Sequence, residues 1–424
     1  MGLSIGRNDK VMKELFNEYV QSLETYIMFR IKQRVAEIKP MLEEKGRSPI
    51  FLSMGAPAQL PPKFALDKLA ESVYKDSVHT YSSPKGEAYF IEAVKERMEK
   101  RYGVKVEKNE IHSLIGSKEG IANFIRALCN PTTNVEEQDI VMVPDPGYAS
   151  YSHMINVAGG RPYSLPLTPE NNYMPDLEEV FGDMEKGGYN PKKVKAVILN
   201  YPNNPLGACC TKEYLQKAVD FCKKHNIILI SDVAYIDMGF EGTEHPVSAL
   251  TCENAKDVTI EFYSFSKSYA MSGWRLGWAC GNAELVGMLG RIKSVIDSGI
   301  FKPLQIACAE ILNTKEGDDY ILETVRGFKN KQDILTQGFK DLGWDIDNLF
   351  IPTATFYLWL PIPPKYKTSA DFIKDVMETS GVVLVPGSAF GKYGEGCFRV
   401  AAVASDDNLR EVVRRLKEDG FRFE

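Results

Sequence analysis

The chain has 424 residues, 44% of them hydrophobic and 25% charged, with 51 basic against 57 acidic side chains and a formal net charge of −6. That composition supports a large core, sufficient for two domains, and provides no basic field for nucleic acid. No apolar run approaches the roughly 20 residues of a membrane span, no basic-plus-apolar leader opens the chain, and the eight cysteines lack paired metal spacing, so the expectation is a cytoplasmic protein with reduced thiols, no membrane partner and no metal.

Between positions 11 and 42 the apolar residues Leu15, Val20, Leu23, Ile27, Ile31 and Val35 stand among charges and predict one or two amphipathic helices, packed on their own chain or on a partner subunit. Residues 49–57 read as a short apolar strand running into a Gly/Pro turn, where the chain crosses between domains. From 61 to 302 strands and helices alternate, which predicts an α/β layer with a largely parallel sheet. Its strands fall at 111–115, 139–143, 161–166, 194–199, 227–231, 259–264 and 276–280, with helices at 117–128, 211–225 and 284–298. A long helix follows from 303, then strands at 355–360, 382–385 and 397–400 and helices at 370–380 and 407–417. The expected division is 1–60 as an N-terminal arm with part of a small α+β domain, 61–302 as the large domain, and 303–424 as the rest of the small one.

Ligands of open parallel sheets bind outside the carboxyl ends of the strands, so the residues just after each strand are the candidates for chemistry. Gly116-Ser117-Lys118-Glu119-Gly120 opens a helix, where backbone N–H groups and the Ser117 hydroxyl suit a phosphate. A turn merely capped by Ser117 is the commoner use of such a sequence. Tyr148, after Asp145-Pro146-Gly147, offers a ring to stack on a flat heteroaromatic or closes the turn as a buried tyrosine. In Asn200-Tyr201-Pro202-Asn203-Asn204-Pro205-Leu206-Gly207 a rigid loop presents Asn204, as a donor to a phenolate oxygen or as the closure of an Asx-turn.

Asp232 ends the apolar run 227–230, where a carboxylate is costly unless a cation such as a pyridinium nitrogen pairs with it. Its plainer role is a loop cap, with Tyr235 packing nearby. Lys267 stands in Ser264-Phe265-Ser266-Lys267-Ser268-Tyr269-Ala270-Met271-Ser272-Gly273-Trp274-Arg275, which combines an amine, several hydroxyls and a guanidinium. A phosphorylated aldehyde needs that set: a desolvated lysine condenses with the aldehyde as a Schiff base, while Ser264, Ser266 and Arg275 hold the phosphate. The bland alternative is a solvated loop lysine. Arg399, on a predicted strand near the C-terminus, can grip a carboxylate with two parallel hydrogen bonds or form a surface ion pair.

Together these segments resemble the fold-type-I pyridoxal phosphate enzymes, specifically the class I and II aminotransferases, from about residue 51 to 404. The resemblance implies a mostly parallel seven-stranded sheet between helices with a smaller α+β domain, pyridoxal 5′-phosphate as cofactor, and an amino acid and a 2-oxo acid as substrates. It implies Lys267 as the Schiff-base lysine and proton carrier, Asp232 at the ring nitrogen, and Asn204 and Tyr235 at the 3′ oxygen. Tyr148 would stack on the ring, and Ser117, Lys118, Ser264, Ser266 and Arg275 would surround the phosphate. Arg399, with the backbone of Gly55, would hold the substrate α-carboxylate, and Asn204 would also contact the substrate. Tyr81 matches a tyrosine that reaches the phosphate of the neighbouring subunit, which implies a homodimer with shared active sites; a contact within its own chain is the other reading of Tyr81.

Asp297 stands near the place where the aspartate-specific branch carries a second arginine, so a simple dicarboxylate grip is not expected. Residues 116–120 and 297–299 are similar instead to the LL-diaminopimelate aminotransferase-like subgroup and to relatives acting on alanine, aspartate or aromatic donors. The segment Tyr81-Ser82-Ser83-Pro84-Lys85-Gly86 departs from that subgroup's plant-type Tyr-Gly wording. Transfer to a 2-oxo acid such as 2-oxoglutarate, a carbon–sulfur β-lyase on the same scaffold, and a cofactor-binding sensor module are the readings in play. The sensor carries the least weight, because no helix-turn-helix segment of sufficient length precedes residue 51.

Overall fold

A computed structural model of the protein describes residues 15–21, 23 and 27–423. Its strands, in chain order, are β1 (Ile50–Phe51), β2 (Ile111–Leu114), β3 (Ile140–Asp145), β4 (Arg161–Pro166), β5 (Val194–Asn200), β6 (Ile228–Asp232), β7 (Thr259–Ser264), β8 (Gly277–Gly281), β9 (Tyr357–Pro361), β10 (Val382–Val383), β11 (Val385–Pro386) and β12 (Cys397–Ala401). Seven of them form one sheet in the order β2-β8-β7-β6-β5-β3-β4, in which β8 alone runs against its neighbours.

The central strands are apolar on both faces, as parallel strands covered by helices on each side must be. Val141, Val143, Ile198, Ile230 and Phe262 pack under the helices Ser117–Leu128 and Ala283–Lys293, while Met142, Val197, Leu199 and Leu229 meet the helix Lys212–His225 on the opposite face. Thr211 caps that last helix by accepting from Tyr214 N at 3.2 Å, and Asn226 ends it in the left-handed region. β9, β11 and β12 make a small antiparallel sheet, and β1 pairs in parallel with β10, so the segment that leads into the site is anchored to C-terminal residues.

Three predicted elements come out differently. The helix expected from 303 onward is two, Lys302–Leu312 and Lys315–Asp341, because Thr314 accepts from Gly317 N at 3.1 Å and starts a new helix. The helix expected to reach 298 stops at Lys293, where Asp297 accepts from both Lys293 Nζ (2.8 Å) and Gly299 N (2.9 Å) and shapes a turn. The strand expected at 382–385 divides into β10 and β11, which pair with different partners. Positions 11–14, 22 and 24–26 of the N-terminal prediction lie outside the described residues. The helix Ile27–Glu44 packs on its own chain through Ile31, Val35, Ile38 and Leu42, and Arg34 Nε donates to Glu378 at 2.9 Å. Cys209 and Cys210 are free thiols whose pKa values burial pushes up, to about 11 for Cys209. Among the described residues no helix is long and apolar enough to cross a membrane.

Candidate active site

A cavity of about 540 Å³ opens where the carboxyl ends of β5, β6 and β7 face the segment after β1, the start of β9 and the middle of β12. Every candidate side chain from the sequence except Tyr81 lines it, together with Gly55.

β7 runs out at Ser264, and the turn after it brings Lys267 back into the cavity, where Nζ donates to Gly55 O at 2.5 Å. The enclosing protein, reinforced by the charges of Arg399 and Arg275, outweighs the attraction of Asp232 and lowers the pKa of the amine to about 8. That shift raises the neutral fraction near neutrality, and the neutral amine is the form that attacks an aldehyde carbon.

Asp232 closes β6. Its carboxylate accepts from Tyr151 Oη at 2.6 Å and from Ala234 N at 3.2 Å, so it does cap the loop, and it makes no salt bridge among the described residues. Burial raises its pKa against those donors and the charge of Lys267. A cation facing it from the cavity would reverse that direction.

The Asn200–Gly207 loop separates structural amides from an available one. Asn200 Oδ1 accepts from Asn204 N at 3.0 Å, and Asn203 Oδ1 accepts from Leu206 N at 3.1 Å. Those contacts leave the Asn204 side chain unneeded for the turn; its Oδ1 accepts from Arg399 Nη1 at 2.8 Å, and its NH₂ has no partner among the described residues. Arg399 also donates through Nη2 to Ser53 O at 2.6 Å, and its guanidinium lies between the rings of Tyr357 and Phe390, 4.6 and 4.8 Å from their centroids. It is 5% exposed, its Nε is buried without a partner, and it pairs with no carboxylate among the described residues. A surface ion pair is therefore not its role.

At the far end, the helix Ser117–Leu128 begins with Ser117 as its first residue, and the capping position is Gly116, at φ 77°. The Ser117 hydroxyl is not spent on a cap. The Arg275 guanidinium packs against Gly116, and a Cβ there would displace it. Arg275 donates to Ser272 O (3.0 Å), Ile115 O (3.2 Å) and Ser266 Oγ (3.4 Å), and Ser264 Oγ accepts from Ser266 N at 3.1 Å. A helix N-terminus, hydroxyls that accept but do not donate among the described residues, and a guanidinium on one spot make an anion site. Lys118 lies 5.7 Å from the ring centroid of Tyr148, which is half-buried and edge-on to Tyr151. Tyr81 is 86% exposed and lines a separate surface cavity with residues 298–302.

Sequence reasoning missed Tyr151, Tyr357 and Lys32, which share the cavity. The three-residue spacing from Tyr148 was the one signal for Tyr151. Tyr357 reads as an ordinary core aromatic and Lys32 as a solvated helix lysine, so neither carries a local signal.

The family model described as aminotransferase class I and II matches residues 47–416. The chain is 39% identical over 400 residues to an LL-diaminopimelate aminotransferase of Moorella thermoacetica, covering 94% of this chain and 96% of that protein. It is 38% identical over 404 residues to an LL-diaminopimelate aminotransferase of Aquifex aeolicus, covering 95% and 98%. Among solved structures, substrate-bound BacF from Bacillus subtilis matches with a TM-score of 0.86 and 31% identity over 97% of this chain and 99% of that one. With a family match over most of its length and a cavity of this chemistry at its strand ends, the chain belongs to the class I and II aminotransferases, enzymes that use pyridoxal 5′-phosphate to move an amino group from an amino acid to a 2-oxo acid.

Proposed function

We propose that the protein transfers the amino group of LL-diaminopimelate to 2-oxoglutarate in the cytoplasm, and that the cavity around Lys267 is its active site. The observation that carries the site is the convergence on one cavity of a depressed lysine with a carboxylate that has no cation and a guanidinium that has no acid among the described residues. The donor set fits pyridoxal phosphate in kind. Ser117, Lys118, Ser264, Ser266 and Arg275 suit the phosphate, Asp232 the ring nitrogen, Asn204 NH₂ and Tyr235 Oη the phenolic oxygen, and Tyr148 the ring face. Bound there, the cofactor supplies an aldehyde carbon and an electron sink conjugated with the substrate α-carbon.

The residues do the remaining work. Arg399 binds the α-carboxylate and, because Asn204 and Ser53 fix its plane, orients the Cα–H bond toward Lys267. A Cβ on Gly55 would displace the Tyr357 hydroxyl, which occupies that space. Lys267 takes the proton from the α-carbon and returns one to the other end of the conjugated system, a task suited to an amine poised near 8. Asp232 holds a proton on the ring nitrogen, which keeps the sink cationic.

LL-diaminopimelate as the donor is supported by the names of the relatives that are 36–39% identical over nearly the whole chain. A homodimer that shares its sites through Tyr81 is supported by the exposure of Tyr81 and Phe301 around one surface cavity. We assign residues 61–302 to a large cofactor-binding domain, with 1–60 and 303–424 supplying the N-terminal arm and small domain; the confinement of the seven-stranded sheet to 111–281 supports that division. Mixing the holoenzyme with one amino acid at a time tests the substrate. LL-diaminopimelate should convert the bound aldehyde spectrum to the amine form and 2-oxoglutarate should restore it. Conversion by alanine or an aromatic amino acid but not by LL-diaminopimelate reassigns the donor, and pyruvate with ammonia released from cystathionine makes the protein a lyase.

A further inference from the structure

Tyr357 opens β9 with its side chain 1% exposed, yet its hydroxyl reaches the cavity wall. Tyr357 Oη lies 2.8 Å from Tyr235 Oη, and both phenols are kept neutral by burial. Two neutral phenols sharing one hydrogen bond have one donor between them, and the hydroxyl that accepts keeps its own hydrogen for another partner. No other partner reaches the Tyr357 hydroxyl among the described residues. The same side chain lies under Arg399, 4.6 Å from the guanidinium carbon to the ring centroid, and the nearby positive charge favours a polarised O–H.

We propose that Tyr357 is a positioning residue: its hydroxyl donates to Tyr235 Oη, so that the Tyr235 hydrogen is committed to the cofactor's phenolic oxygen, while its ring fixes the plane of Arg399. The inference rests on the assignment of Tyr235 to that oxygen. Tyr357 thereby ties the grip on the cofactor to the grip on the substrate. A hydroxyl that accepts one hydrogen bond donates the next more strongly, and a strong donor stabilises the phenolic anion. Losing the Tyr357 hydroxyl leaves the Tyr235 hydrogen free to turn away, so the anion is less stable and the bound chromophore takes up a proton at higher pH. The other charged or titratable groups around the pair, Asp232, Lys267, Arg399, Tyr148 and Tyr151, are unchanged in these variants.

The test is a pH titration of the visible absorbance of the holoenzyme in wild type, Tyr357→Phe, Tyr235→Phe and the double variant. Tyr357→Phe should raise the midpoint by about half to one pH unit, less than Tyr235→Phe, and the double variant should match Tyr235→Phe alone. KM for the amino donor should stay within about twofold in Tyr357→Phe, which keeps the ring, and rise about tenfold in Tyr357→Leu, which removes it. A wild-type titration in Tyr357→Phe beside a shifted Tyr235→Phe overturns the proposal and leaves the site reading standing. Additive shifts in the double variant also overturn it. No shift in Tyr235→Phe overturns the assignment of Tyr235 itself.

Discussion

The body of the protein and the cavity each hold a carboxylate and a lysine withdrawn from solvent. In the body of the protein, Glu261 on β7 accepts from Ser231 Oγ (2.8 Å), Ser248 Oγ (2.5 Å), Ala249 N (2.9 Å) and the Tyr263 hydroxyl, and Lys293 donates to Glu119 and Asp297, both at 2.8 Å. In the cavity, and among the described residues, Asp232 on the neighbouring β6 has two donors and no cation, and Lys267 has one backbone carbonyl and no carboxylate within ion-pair distance. The residue types match, so burial of a charge by itself says little about function. An incomplete set of partners facing an open volume marks the site, because that deficit persists only where a ligand supplies the remainder.

Substitution can widen or close that contrast. The largest effect is expected from Lys267→Ala, which should reduce transamination by on the order of 10⁴-fold in steady-state assays with the fold intact by circular dichroism. Next, Asp232→Asn should lower kcat by on the order of 10²- to 10³-fold, as does losing one well-aimed electrostatic contact; an unchanged kcat would move Asp232 into the class of Glu261. Lys293→Met should lower the unfolding free energy by about 3 kcal/mol in denaturant titrations because it removes the cation that two partly buried carboxylates share, whereas Lys267→Met in the apoenzyme should stay within about 1 kcal/mol of wild type. Equal losses would erase the distinction between the two lysines. The smallest effect is a matter of pH. Burial favours the neutral amine, so the rate at which apoenzyme captures the cofactor should rise with pH through a midpoint near 8 and then level off, where a solvated lysine would keep rising toward 10.

The cofactor side of the cavity was legible because its residues follow strands in short, chemically dense segments: Asp232 ends an apolar run, Asn204 sits in a proline-rich loop, and Lys267 is flanked by Ser264, Ser266 and Arg275. Strand positions were legible for a related reason, since a strand buried on both faces is a continuous apolar run. The substrate side was less so. Tyr357 and Lys32 reach the cavity from β9 and from the N-terminal helix, through tertiary packing that leaves no local pattern. Helix ends at 293 and 312 were missed because side-chain bonds from Asp297 and Thr314, and no Gly or Pro, set those ends.

Borohydride reduction of the reconstituted protein, followed by peptide mapping, addresses the central claim that Lys267 is the covalent anchor. The account predicts loss of the visible absorbance and a single phosphopyridoxyl-modified lysine, in the peptide that contains Lys267. A colourless protein, or the modification at another lysine with Lys267 untouched, would contradict it.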